Sequence, residues 1–521
     1  MLVTIVTPTQ APTQVTPKTR KLTTAQAIIL YLAAQQTELL DGGIAPLFGG
    51  IWGIFGHGNV AGIGEALETY PDKLSFYRGQ NEQSMAHAAI AYAKAHKRRR
   101  IMAVTTSIGP GATNLTTAAA LAHTNRLPTL LLPGDTFASR HPDPVLQQLE
   151  DPQSALSTVN DCLRPVSVFF DRISRPEQLL ASLPKALHFL TDPALCGPVT
   201  LALPQDVQAE AYEFPLSFFE PKVHYIRRPE PDNKEVQHCA NLIRHAQRPL
   251  IISGGGTVYS GASQALASFC ETHQIPFAET QAGKSILPWN HPYNLGAVGV
   301  TGTDAANLVA QKADLVINVG TRLSDFTTAS KSLFRNSSIQ FINININSLD
   351  SLKLNGHSCI GDAKRCLKLL SQTLNSHKHT SSYEDEWKTY IANWQKKQDE
   401  LFQSKYILPS DAQVIDKVNQ IAGLDSIVVC AAGGLPGELH RHWKSQSSGS
   451  YHAEYAFSCM GYEIAAGIGV KLAYPEKKVF VMVGDGSYLM MHSELLTAQQ
   501  YGLKINIIVL DNHGFGCITD S

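Results

Sequence analysis

Apolar residues in this chain fall into short β-branched runs that alternate with longer segments of helical period. Val479 to Val483 (VFVMV) is the clearest run, uninterrupted by any polar residue and stopped abruptly by Gly484-Asp485-Gly486-Ser487. Its length and content predict a strand buried on both faces of a parallel sheet. Met490 to Tyr501 then predicts a helix, and Ile505 to Leu510 a second buried strand ending at Asp511-Asn512. A right-handed crossover sets the C-terminal ends of the two strands side by side, so Asp485 and Asn512 are expected to reach one point.

The same alternation runs along the whole chain. Thr23 to Gln36 predicts an amphipathic helix and Gly50 to Asn59 a strand opening into a glycine-rich loop. Glu82 heads a small-residue helix, followed by a strand at Ile101 to Thr105, a turn at Ser107 to Gly111, a helix to His123 and a strand at Leu127 to Leu132. Further strands are predicted at Pro249 to Ser253, Leu315 to Val319, Ile339 to Ile346 and Ser426 to Cys430. Strands alternating with helices at this spacing define an α/β protein, and 521 residues are too many for one core. The expected fold is three doubly wound parallel-sheet domains at 22–220, 233–372 and 409–521. Pro221 to Asp232 and the charged helical segment 373–408 serve as linkers, and the Thr/Pro/Gln-rich residues 1–21 form a disordered tail.

Charge narrows the function classes. With 43 basic residues against 44 acidic, the chain lacks the field of a nucleic-acid binder. Nine scattered cysteines without metal-site spacing read as reduced thiols, and neither a signal segment nor a membrane span is expected, so the reading is cytoplasmic.

The chemistry lies at the strand ends. A carboxylate from Asp485, an amide oxygen from Asn512 and a nearby backbone carbonyl, that of Gly514, make about half of an octahedral Mg²⁺ shell and leave room for a diphosphate and water. Gly484 and Gly486 let the backbone approach phosphate, while Ser487 and the following helix N-terminus offer donors to the anion. A lone Gly-Asp-Gly is common after strands. One followed by an Asn at the end of the next parallel strand is far more specific.

At these residues the chain resembles the thiamine diphosphate enzymes, whose motif is GDG, about two dozen residues, then NN. Here 24 residues (487 to 510) follow the GDG and the pair reads Asp511-Asn512, with Asn512 keeping the ligand position. The runs NEQSMAHAAIAYAK and TSIGPGATN resemble the first domain of the acetolactate-synthase group, which implies that Glu82 is the cofactor-activating carboxylate, buried in an apolar pocket. The resemblance also implies cofactor contacts at Gly434, Ser458, Met460, Gly484, Gly486 and Ser487, and Mg²⁺ at Asp485, Asn512 and Gly514. It gives the three domains as pyrimidine-binding, central and diphosphate-binding, with the third incomplete at its C-terminus. FAD, held by the central domain of some relatives, is admissible but not expected.

Phrases between the motifs, among them FGHGNVAGIGEALE, GDTFASRHPDPVLQQLE, ETQAGKS and YHAEYAFSCMGYE, resemble a branch that hydrolyses a ring carbon–carbon bond of a cyclic trihydroxy-dione in myo-inositol breakdown. The alternatives are a carboligase of the acetolactate or glyoxylate type and an inactive, shortened chain. His57, Gln83 and His87 are open between proton carriers, hydroxyl readers and structural polar residues. The resemblance further implies a homodimer or larger homo-oligomer with the cofactor clamped between subunits.

Overall fold

The computed structural model describes residues 18–141, 145–149 and 151–519. Three larger sheets, each wholly parallel, organise them. The first comprises β1 (Phe48–Gly53), β2 (Phe76–Tyr77), β3 (Ile101–Thr106), β4 (Thr129–Asp135), β5 (Phe169–Arg172) and β6 (Pro198–Pro204) in the order β2-β1-β3-β4-β6-β5. The second comprises β7 (Pro249–Ser253), β8 (Phe277–Glu279), β9 (Asn294–Ala297), β10 (Leu315–Val319), β11 (Gln340–Asn345) and β12 (His357–Ile360) in the order β9-β8-β7-β10-β11-β12. The third comprises β13 (Ser426–Cys430), β14 (Tyr451–Ala453), β15 (Lys478–Gly484) and β16 (Ile505–Leu510) in the order β14-β13-β15-β16. In each sheet the strand order reverses about a central strand, and the crevice outside the strand ends at such a reversal is where α/β sheets bind ligands.

Helices cover most of the sheets because most strands are apolar on both faces; the expectation that Ile505–Leu510 is buried is corrected, since β16 is an edge strand, half-exposed along its length. Four helices matter for the site: α1 (Glu82–Ala95), α2 (Thr116–Asn125), α3 (Leu435–His442) and α4 (Tyr462–Ala473). α1 and α4 pack on each other, and one hydrophobic core runs from Trp52, Met85 and Leu131 of the first unit to Val429, Ile468 and Val481 of the third. Small residues permit this approach. A Cβ at Gly469 of α4 would collide with the Ala88 carbonyl of α1.

Several local expectations are corrected. Thr19–Thr23 is a strand antiparallel to Ala211–Pro215, so residues 19–21 do not belong to a tail; residues 1–17 lie outside the described residues. The helix expected over 23–36 ends at Ala33, and Gln35–Glu38 is a strand paired with Lys222–His224, which removes the start of the expected linker. These strands are short and polar and form two small sheets apart from the three larger ones, so backbone hydrogen bonding rather than apolar alternation holds them. The helix expected over Met490 to Tyr501 is instead two: Asp485–Met490 and, after a tight turn at His492–Glu494, Leu495–Gln500. Met491 breaks the helix at φ −146°, ψ 52°.

Candidate active site

β15 and β16 lie side by side, with Gly484 opposite Leu510, so the turns that follow both strands emerge together. Helix Asp485–Met490 starts at the aspartate itself, and the carboxylate stands at its N-terminal end. The Asn512 side-chain amide lies 2.8 Å from the Gly514 carbonyl and 3.1 Å from Asp485 Oδ1. The amide oxygen faces both of these oxygens, an arrangement suited to a shared cation; rotated by half a turn, its NH₂ group would donate to both. Among the described residues no three His, Cys, Asp or Glu side chains gather as a metal-binding group. One carboxylate, one amide and one carbonyl form instead an oxygen set suited to a hard cation.

Beside this set the surface is open. Nothing lies within 4 Å of the position a Cβ would take at Gly433, Gly434, Gly484 or Gly514. Gly434 precedes α3 at the end of β13, the strand adjacent to β15. Gly486 has a different reason, since a Cβ there would meet the Phe515 ring at 2.7 Å. These residues can hold a diphosphate and its divalent cation.

Ser487 departs from its expected role as a hydroxyl donor to the anion. Its side chain is 4% exposed, its hydroxyl donates to Glu463 Oε2 at 2.7 Å, and its oxygen accepts the Gly461 N–H at 2.8 Å. The hydroxyl hydrogen is therefore committed to a carboxylate rather than free for an anion. Ser458 is exposed and Met460 half-buried on the loop before α4, with Ser458 in the left-handed region at φ +56°.

Glu82 opens α1 in the first unit. Asn81 caps the helix, its side chain accepting from the Ser84 N–H at 3.2 Å. The Glu82 carboxylate is half-buried and accepts from Asn114 Nδ2 at 2.9 Å. Asn114 ends the TSIGPGATN turn, so two segments singled out separately in the sequence meet here. The expectation that Glu82 is buried in an apolar pocket is corrected for the single chain, because the helix start lies at the rim of the strand-end crevice. His87, one turn deeper, is fully buried, and burial pushes its pKa down to about 3. Its ring packs edge-on against Tyr462 at 5.3 Å and lies 4.0 Å from Cys459 Sγ, which makes it a neutral packing residue between α1 and α4. His57 is exposed.

Contacts within one chain link the two halves. Gln83 Nε2 lies 3.9 Å from Cys459 Sγ, and Gly461, two residues on, reaches Ser487 in the Gly-Asp-Gly-Ser turn. Sequence reasoning missed Glu494, whose buried Oε1 accepts the N–H groups of Gln80 and Asn81 at 3.0 and 3.1 Å. This carboxylate of the third unit thereby fixes the residues just before Glu82. It also missed Glu454 and Glu463. Nothing in a single sequence separates such carboxylates from ordinary solvated ones.

A cavity of about 640 Å³ opens among the three units, bordered by Gly255, Gly320, Arg126, Arg228, Arg322 and Tyr455. Glu82, Asp485 and Asn512 do not line it. No helix among the described residues is long and apolar enough to cross a membrane.

Comparison with known proteins agrees with this architecture. Residues 50–156 match the N-terminal TPP binding domain of thiamine pyrophosphate enzymes, 236–370 their central domain and 431–521 their C-terminal TPP binding domain. The chain belongs to the thiamine pyrophosphate enzyme family. It is 48% identical to the 3D-(3,5/4)-trihydroxycyclohexane-1,2-dione hydrolase of Clostridium tetani, over 96% of this chain and 82% of that protein. The proteins of the same name from Clostridium perfringens, at 48% over 96% and 82%, and Halalkalibacterium halodurans, at 47% over 96% and 83%, are similar to the same degree.

Proposed function

We propose that the chain is a thiamine diphosphate- and Mg²⁺-dependent hydrolase that opens the ring of 3D-(3,5/4)-trihydroxycyclohexane-1,2-dione to 5-deoxy-D-glucuronate in myo-inositol catabolism. The observation that carries this reading is the 48% identity, spread over 96% of the chain, to a relative named for that substrate. The convergence of Asp485, Asn512 and Gly514 supports the cofactor half of it.

Thiamine diphosphate, when bound, supplies a nucleophilic carbon for a ketone and an electron sink for the bond that breaks. Asp485, Asn512 and Gly514 would hold Mg²⁺ on the diphosphate, with the open glycines at 433, 434 and 484 leaving room for its oxygens. Met460 and Ser458 would line the cofactor from the loop before α4. Glu82 would hold and return the proton that activates the cofactor, and the hydrogen bond from Asn114 would restrain that carboxylate. Across the reaction one ring carbon–carbon bond breaks and one water is consumed: its hydroxyl ends in the carboxylic acid and its hydrogen in the aldehyde. No net redox occurs.

Asp485→Ala removes the carboxylate ligand and is expected to abolish ThDP retention, measured by calorimetry with Mg²⁺ present; equal affinity in variant and parent refutes the ligand assignment. The substrate assignment is tested by following the dione with NMR. Release of the acyclic acid is expected, whereas carbon–carbon bond formation from pyruvate without dione cleavage would mean a carboligase.

We also propose that the chain acts as at least a homodimer. Leu489, Met490, Leu496 and Phe515, each more than half exposed, lie on the segments that carry or follow the cradle, and a second copy would cover them. Mixing Glu82→Gln and Asp485→Ala subunits is expected to restore activity if sites are shared. No recovery despite proven subunit exchange would mean that each chain builds its own site.

A further inference from the structure

The segment from Tyr455 to Gly461 carries Ser458 and Met460, yet it belongs to no helix or strand. Two buried glutamates hold its backbone instead. Glu454, 1% exposed, accepts the N–H of Phe457 at 2.9 Å and that of Cys459 at 3.0 Å. The same carboxylate accepts from Asn125 Nδ2 at 2.8 Å, which ties the loop to the end of α2 in the first unit. Glu463, 2% exposed, accepts the Gly461 N–H at 3.1 Å and the Ser487 hydroxyl at 2.7 Å.

These bonds fix a loop that would not keep its shape unaided. Ser458 at φ +56° and Gly461 at φ +88° are both in the left-handed region, which residues with a Cβ rarely adopt. Gly461 is also crowded, since a Cβ there would meet Met491 at 2.7 Å. Backbone in this conformation persists only where its surroundings over-determine it. Two sealed carboxylates, one before the loop and one after it, meet that requirement. Each also needs the donors it holds, because a buried polar group without them is costly.

We propose that Glu454 and Glu463 are positioning residues that clamp the Tyr455–Gly461 loop at both ends, preforming it so that Ser458 and Met460 stand in register with the Gly484–Ser487 turn. The consequence for cofactor binding rests on the thiamine diphosphate reading above; the clamp itself is measurable without cofactor. A loop already ordered in the free protein loses less entropy on binding, so weakening the clamp costs affinity.

The first test is native-state cleavage by chymotrypsin after Phe457, whose side chain is 41% exposed, in the cofactor-free full chain. Glu454→Ala and Glu463→Ala are each expected to speed cleavage by about tenfold or more, with the global unfolding midpoint nearly unchanged. The second is ThDP affinity in excess Mg²⁺, read by tryptophan fluorescence, which is expected to fall by about tenfold in the same variants. Glu463→Gln keeps one acceptor oxygen and is expected to stay within about threefold of the parent in both measurements. Ser487→Ala breaks the same link from the other side, so adding it to Glu463→Ala is expected to bring little further loss.

Unchanged cleavage in both alanine variants, or additive effects of Ser487→Ala and Glu463→Ala, overturns the proposal. If the alanine variants fail to fold, Ser487→Ala alone decides: faster cleavage supports the clamp and an unchanged rate refutes it. A parent chain that takes up no ThDP would defeat the cofactor reading and leave the cleavage arm to judge the clamp.

Discussion

Glu82 and Glu463 occupy equivalent places in two parallel-sheet units. Each sits in the first turn of its helix, α1 or α4, and the two helices share one core. Their surroundings differ. Glu82 is half-buried at the rim of a strand-end crevice with Asn114 as its side-chain partner, whereas Glu463 is sealed among Gly461, Ser487 and the start of its own helix. One carboxylate keeps a face toward the space where a ligand would bind, and the other spends its oxygens on the chain. A glutamate in a helix's first turn can thus serve a reacting molecule or a loop, and the difference lies in what the neighbouring strand end places above it.

The sharpest way to break this comparison is to remove the ionisable carboxyl at each site. Glu82→Gln is expected to slow dione turnover by about 10²- to 10⁴-fold while ThDP still binds, because an amide cannot relay a proton. Steady-state rates beside calorimetric affinities check this, and a parent-like rate would move the proton-transfer role elsewhere.

The same substitution at the sealed site should act on stability. Burial pushes the Glu463 carboxyl up from 4.5 to about 7. The folded chain then keeps a proton that the unfolded chain releases, so this group's contribution is full below pH 4.5 and is lost as pH rises through 7. The swing is on the order of 3 kcal/mol at most. Glu463→Gln cannot ionise, and its unfolding midpoint is expected to match the parent's below pH 4.5 and to exceed it increasingly up to and above pH 7. Glu279, also pushed up to about 7 by burial, is present in both chains and cancels from the difference. Parallel midpoint curves for the two chains across this range would show that Glu463 is not held protonated in the fold.

The smallest effect belongs to the partner of Glu82. Asn114→Ala removes one hydrogen bond to a charged group, worth about 1.5 to 3 kcal/mol when it is not replaced by water. At a half-exposed site water takes over part of it, so turnover is expected to fall by about tenfold or less with stability unchanged. A loss as large as that of Glu82→Gln would mean that Asn114 itself handles the reacting molecule.

Much of this was legible in the residues. The run Val479 to Val483 and its stop at Gly484 predicted β15 and the turn after it, because a strand buried on both faces needs apolar residues at every position. The crossover rule then brought Asp485 and Asn512 together without any knowledge of the side chains between them. The strands at Thr19–Thr23, Gln35–Glu38 and Lys222–His224, which form small sheets of their own, were not legible, since their polar sequences carry no period and only a distant partner makes them strands. The break at Met491 was missed because its neighbours keep a helical pattern on both sides.

The sequence by itself determined three parallel-sheet units, the places of their glycine turns and the residues able to meet a diphosphate-bound cation, because apolar period and turn chemistry are local properties of the chain. Only the tertiary structure decided which carboxylates face a ligand and which face the protein. Glu82, Glu454, Glu463 and Glu494 are indistinguishable by residue type, and their roles follow from burial and from the donors that packing brings to them, a side-chain amide for Glu82 and backbone N–H groups for the other three. Those donors come from residues remote in sequence or from loops whose shape the fold imposes, and the desolvation that separates the four exists only once the units have closed on one another.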